Sequence, residues 1–419
     1  MSILLAVILF GLSLCAIGTG TFYAIVLVRL VRTQRMLPTA RSGIDLPPPE
    51  GGWPSLCIVV PAHNEEDVIA ELTRSLVAQS YPNLSIVFAL DRCTDGTQTA
   101  LTQAITDESG AIDRRFEIIT IDNCPDGWSG KTNAVHQGVT RSRGAADAAL
   151  LLFTDADTEF HPELCQATVA LLRHRGLSLL SLLSRLNCEH WYERLVQPAA
   201  GFELIREYPL DIINSTRRPR AFANGQFMLF DRTLYDAVGG HELVKDRILE
   251  DIAFAREINR KRSSLGNPKW GVYMSGGMLR CHMYRSWPAF IRGWKRIYTE
   301  SAGRRPTHLR KWSLRHRLTG SILPTLTLVA LAMGTICLRL NIQQINASIA
   351  IITSVVAIIV YLLAMVRVYG SQGVSPVWVL TYPLGAWLAS NIQARAGADL
   401  VAGKTTHWGG IEYQRKVRT

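Results

Sequence analysis

Residues 2–28 contain no charged side chain. About 20 apolar residues are enough to cross the hydrocarbon core of a bilayer, so this run constrains the chain before any motif does. Arg29, Arg32, Arg35 and Arg41 follow it. A cleavable signal peptide has its basic charge first and a shorter apolar core, so the order of charge predicts a retained anchor with the following segment in the cytoplasm. Two more uncharged runs, residues 318–338 and 341–366, are separated only by Arg339 and Leu340 and predict a tight transmembrane hairpin. Arg304, Arg305, Arg310, Lys311, Arg315 and Arg317 precede the hairpin and again point to the cytoplasm. A fourth uncharged stretch, residues 370–394, is broken by Pro376 and Pro383 and predicts either a further span or a re-entrant segment. The tail after it is basic, with Lys404, Arg415, Lys416 and Arg418.

The net charge of +11 does not indicate nucleic acid, because no helix-turn-helix, zinc or RNA-binding signature accompanies it. The basic residues crowd beside apolar runs, where anionic headgroups attract them. The eight cysteines are scattered without a CxxC pair, which argues against a zinc site and a disulfide framework.

Between the anchor and the hairpin the pattern changes. Residues 38–54, with PPPEGGWP, read as a linker. Short β-branched or apolar runs at 56–60, 84–90, 116–121 and 148–153 then alternate with helical periodicity, as in Val68, Ile69, Leu72 and Leu76 behind a cap at Asn64. Such alternation predicts an α/β domain with a mostly parallel, Rossmann-like sheet. Ligands of such sheets bind at the carboxyl ends of the strands. The predicted divisions are an anchor (1–31), a linker (32–54), a catalytic domain (55–285), an interfacial amphipathic segment (286–316), the hairpin (317–367) and a re-entrant or spanning segment with the tail (368–419).

Acidic residues sit at three strand ends: Glu65 in PAHNEE, Asp91 in LDRCTDGT, and Asp155 with Asp157 in FTDADTEF. A turn or helix cap explains any one of them. Together they suit a nucleotide diphosphate held through a divalent cation, Mg²⁺ or Mn²⁺, which takes one or two carboxylates from the protein. Asp157 is expected to bind the ion directly and Asp155 through water or the ribose, with Glu65 and Asp91 bonding to base and ribose.

PAHNEE, LDRCTDGT, GWSGKTNAV, FTDADTEF and LEDIAFAR, in this order, resemble the family 2 glycosyltransferases. The stretch Gly127-Trp128-Ser129-Gly130-Lys131 is similar to hopene-associated members, with ceramide and carotenoid glycosyltransferases as near relatives. The resemblance implies a GT-A catalytic domain that moves a sugar, with inversion, from a nucleotide donor such as a UDP-sugar to a membrane lipid. It implies that Asp91 contacts nucleotide, that Asp155 and Asp157 form the metal-binding DxD, and that Lys131 lies near donor phosphate. Asp251 then falls at the general base, with Glu250 as the alternative, and Gly225-Gln226 lines the acceptor site. Gly239-Gly240-His241 reads as a turn followed by a surface histidine.

The chain departs from processive relatives where they carry Gln-x-x-Arg-Trp. It has Arg292-Gly293-Trp294-Lys295-Arg296 instead, which argues against a polysaccharide synthase. Arg292 and Arg296 are candidates to grip diphosphate. Trp287, Phe290, Ile291, Trp294, Ile297 and Tyr298 share one helical face, predicting an interfacial helix with Trp294 at the mouth of the acceptor site. A catalytically inactive nucleotide-sugar-binding scaffold is the remaining rival; it would have lost the DxD or the base, and both are kept.

Overall fold

The computed structural model describes residues 2–106, 111–215, 220–408, 411–413 and 417. Of the basic tail, Arg415, Lys416 and Arg418 lie outside the described residues.

Seven strands form the central sheet in the spatial order Phe116–Ile121, Leu84–Asp91, Leu56–Ala62, Leu150–Phe153, Met228–Asp231, Leu179–Leu183 and Trp270–Met274. Met228–Asp231 runs antiparallel to both neighbours, and the other pairings are parallel. The uninterrupted apolar run at 56–60 follows from burial on both faces. Ile58 and Val60 join Leu72 and Leu76 in one core, whereas Cys57 and Val59 join Val135, Val139 and Phe254 in the other. This is the α/β, mostly parallel architecture expected of a GT-A domain.

Asn64 does not cap a helix. It takes a left-handed conformation (φ 56°), and its Oδ1 accepts the Thr94 amide at 2.8 Å. The helix starts later, at Ile69. The side chain therefore ties together the loops that leave the first two strands. Arg92, directly after the second strand, is also left-handed (φ 48°). Non-glycine residues adopt this conformation rarely and cluster at functional loops.

Three helices are long and apolar enough to cross a membrane: Ile3–Met36, Pro306–Arg339 and Gln344–Ser371. The N-terminal helix extends to Met36, beyond the boundary expected at residue 31. The linker behind it is partly docked rather than free. Ala40 is fully buried, and a Cβ on Gly43 would lie 2.0 Å from the Ala167 carbonyl oxygen. Small residues let the long helices approach closely: Gly20 meets Ala357, and Gly334 meets Ala347 and Ala350. Thr19 and Thr327 share a hydroxyl hydrogen bond of 2.9 Å across this contact.

The fourth apolar stretch becomes a short turn, Pro376–Thr381, and a helix, Tyr382–Val401. It shares a third core with helices Trp191–Glu207, Trp287–Ser301 and Pro306–His316. Two sequence expectations change here. Helix Trp191–Glu207, counted within the catalytic domain, is built into the membrane-side core, so residue 285 is no clean boundary. The aromatic face of Trp287–Ser301 does not meet headgroups: Phe290, Trp294 and Tyr298 are at most 2% exposed, and the Tyr298 hydroxyl donates to the Ala200 carbonyl at 3.2 Å. Periodicity reports that a face is apolar, and a protein neighbour satisfies that face as well as a bilayer does.

Candidate active site

Lys131 opens a helix, Gly130–Arg141, whose first turn is capped by the Ser129 side chain. Its Nζ lies 2.5 Å from Asp155 Oδ1 and 2.5 Å from Glu250 Oε1, joining the loop after the fourth strand in sequence to the start of helix Glu250–Arg260. Burial opposes the lysine charge, but the two carboxylates overcome it and hold the ammonium above the usual lysine range. Asp251, the next residue, accepts the Gly225 amide on Oδ2 at 2.8 Å and the Ile252 amide on Oδ1 at 2.6 Å. Burial, then the neighbouring Glu250, push its carboxyl up to about 7. Gly225 leaves little room: a Cβ would sit 3.2 Å from both Glu250 Oε1 and Lys131 Nζ, so those side-chain ends would have to shift by a few tenths of an ångström.

Gln226 is buried and held on both ends. Its Oε1 accepts from Ser184 at 2.5 Å and Asn224 at 3.0 Å, and its Nε2 donates to Cys281 Sγ at 2.9 Å. Cys281 in turn donates to Asp157 Oδ1 at 3.4 Å. Burial and then Asp155 push the Asp157 carboxyl up to about 7, and burial followed by Asp157 pushes Glu65 up to about 8. These groups resist ionising together and are poised to gain from an added cation.

Two cavities meet at this cluster. One, of about 650 Å³, is lined by opposed charges: Glu65, Asp155 and Asp157 face Arg285, Arg292 and Arg296 across it. The other, of about 200 Å³, has Asp251, Glu250 and Lys131 at one end. Its remaining wall is largely apolar, including Leu204, Phe222, Ile252 and Trp294, and reaches Gln372 beyond the last membrane-length helix. Asp155, Gln226, Met283 and Arg296 line both.

The structure thus gathers every candidate from the sequence except Asp91, which lines neither cavity. Its carboxylate is held by Arg92 through two bonds of 2.9 and 2.6 Å. His241 is buried rather than on the surface; it bonds the Tyr235 hydroxyl at 2.9 Å and packs edge-on to Phe153. Sequence reasoning missed His282, whose amide donates to the Asp157 carbonyl at 2.8 Å and whose ring lines the charged cavity. Its Nε2 lies 3.9 Å from Glu71 and 4.0 Å from Glu159. No periodicity marks it, because it follows a strand of only three residues, Leu279–Cys281.

The donor set fits a divalent ion. Two carboxylates two residues apart, one of them buried and raised, offer hard oxygen ligands, and an imidazole stands in the same cleft.

Comparison with known proteins finds similarity to glycosyltransferases. Residues 57–239 match the family described as Glycosyl transferase family 2. A 4,4'-diaponeurosporenoate glycosyltransferase of Staphylococcus aureus (strain MRSA252) is 27% identical over 263 residues, 60% of this chain and 63% of the relative. Its counterpart from strain bovine RF122 / ET3-1 is 29% identical over 208 residues, 48% of this chain and 50% of the relative. The chain therefore spans less than two thirds of the length of these relatives. Among solved structures, the mannosyltransferase PcManGT from Pyrobaculum calidifontis, in complex with GDP-Man and Mn²⁺, aligns with a TM-score of 0.44 and 16% identity over 95% of this chain and 97% of that one.

Proposed function

We propose that this chain, which carries a family 2 glycosyltransferase domain over residues 57–239, moves a sugar from a nucleotide-diphosphate sugar to a membrane lipid, with inversion at the anomeric carbon. The observation that carries this reading is the pair of cavities joined at Asp155 and Gln226, one lined by opposed charges, the other apolar with a raised carboxyl at its end.

The donor diphosphate belongs in the charged cavity, where Arg292 and Arg296 offer forked donors suited to phosphate oxygens. Asp157, with Asp155 and His282 beside it, would hold a divalent cation there. Such an ion neutralises charge that develops on the leaving diphosphate. The acceptor enters the apolar cavity. Asp251 takes the proton of its hydroxyl, and the oxygen attacks the anomeric carbon from the side opposite the leaving group. Lys131 ties Asp155 to Glu250 and so fixes the distance between the donor and acceptor sites. The relatives are named 4,4'-diaponeurosporenoate glycosyltransferases, and the apolar lining of the second cavity suits the hydrocarbon part of a lipid acceptor. The basic flanks of the apolar helices support a cytoplasmic position for the catalytic domain.

The test uses the full chain in lipid nanodiscs with a panel of nucleotide sugars, products being read by mass spectrometry. A single-sugar glycolipid should form, stop on chelation, and return with Mn²⁺ or Mg²⁺. Asp157→Asn should stay inactive under both ions. Turnover by that variant at the native rate, or a polymeric product, would refute the assignment.

A further inference from the structure

We infer that a basic cavity at the foot of the transmembrane hairpin binds the phosphate of an anionic lipid headgroup. The inference rests on the membrane placement of the long helices and not on the transfer reaction. The cavity holds about 570 Å³ and shares no residue with the charged donor cavity. Four cations from three separate parts of the chain line it: Arg220, Arg256 of helix Glu250–Arg260, and Arg305 and Lys311 at the start of the hairpin.

Like charges do not converge without cause, and here their neutralisation is missing. Among the described residues none of these four makes an ion pair. The one carboxylate in the wall, Glu207, is already bonded to Arg315, which also holds the fully buried Glu203. Tyr208 organises two of the cations: the Arg220 guanidinium lies 5.4 Å from its ring centre, and Arg256 reaches its hydroxyl. Guanidinium groups suit a phosphate with several oxygens, and three of them and an ammonium around one hollow exceed what a single carboxylate would need.

Depth identifies the source. Arg315, in the cavity wall, precedes Leu318, the first residue of the uncharged run, by three positions, about 5 Å along a helix at about 1.5 Å per residue, and Lys311 lies two turns before Leu318 at the outer edge of the headgroup layer. The headgroup layer on each side of the hydrocarbon core is about 5–8 Å thick. Tyr23 donates to the Thr319 carbonyl at 3.1 Å, which sets the basic end of the N-terminal helix at the same level. Trp312, in the cavity wall, is an aromatic residue of the kind that marks this layer. Ser301 lines both this cavity and the apolar acceptor cavity. A lipid bound here holds the acceptor site against the leaflet.

The full chain is reconstituted in phosphatidylcholine nanodiscs, and its Tm is followed as phosphatidylglycerol replaces part of the phosphatidylcholine, and separately as inorganic phosphate is added. Phosphatidylglycerol should raise Tm by a few degrees and saturate, while inorganic phosphate should not. The double variant Arg256→Gln/Lys311→Gln should lose the saturable rise while keeping the native Tm in pure phosphatidylcholine; Arg256→Lys/Lys311→Arg should keep the rise. A rise in the glutamine variant equal to the native one overturns the site. An equal rise with inorganic phosphate assigns a soluble anion and overturns the lipid.

Discussion

Glu250 and Asp251 are neighbours with different surroundings. Glu250 is committed to the Lys131 ammonium, while Asp251 accepts only backbone amides and faces the apolar cavity. That contrast favours Asp251 as the base, which the sequence alone left open. A base must be ionised to accept a proton, and burial raises this carboxyl to about 7. Activity should therefore climb as pH rises through about 7 and level off above it. Asp251→Asn should lower kcat by about 10²–10⁴-fold, the usual contribution of general-base catalysis, and abolish the pH limb. A variant that retains the limb assigns the titration to another group. At this scale the sequence was legible for position: Glu65, Asp155 and Asp157, expected at strand ends, line one cavity. The surroundings of Asp91 were not legible, because Arg92 turns back on a left-handed backbone and bonds its carboxylate, and no spacing rule announces that turn.

Among the elements, the strands were readable because burial on two faces demands unbroken apolar runs. Helix Trp191–Glu207 was not. Buried residues surround it almost completely, Glu193, Gln197 and Glu203 among them, so it has no apolar stripe to betray its position between catalytic and membrane-side layers. Its contact with helix Tyr382–Val401 is backbone-close. A Cβ on Gly385 would fall 2.1 Å from the Leu195 carbonyl oxygen, an atom that cannot rotate away. Gly385→Ala must separate the two helices and should cost on the order of 1–3 kcal/mol, as overpacking does. Gly11→Ala, with no atom within 4 Å of the new methyl, should leave stability unchanged or slightly raised. Thermal unfolding of the two variants in one lipid composition checks this; equal Tm values would show that the close approach relaxes freely.

Over the whole molecule, charge and helix pairing specify one orientation. The Thr19–Thr327 and Tyr23–Thr319 contacts align the N-terminal helix antiparallel to the first hairpin helix. Arg29, Arg32 and Arg35 then lie at the same end as the basic segment 304–317, while the turn before Gln344 lies at the other end. Glu203 and Glu207 are bonded to Arg315, tying the catalytic layer to the basic end. The sheet and both site cavities therefore lie at the basic end of the long helices, the end that the positive-inside bias predicts to be cytoplasmic. Gln344 and Gln98 are exposed at the two ends of this arrangement. In intact cells a membrane-impermeant maleimide should modify Gln344→Cys, whereas Gln98→Cys should react only after lysis, with the native cysteines measured as background. The reverse pattern would place the donor cavity outside the cell and remove the basis for a cytoplasmic nucleotide-sugar donor.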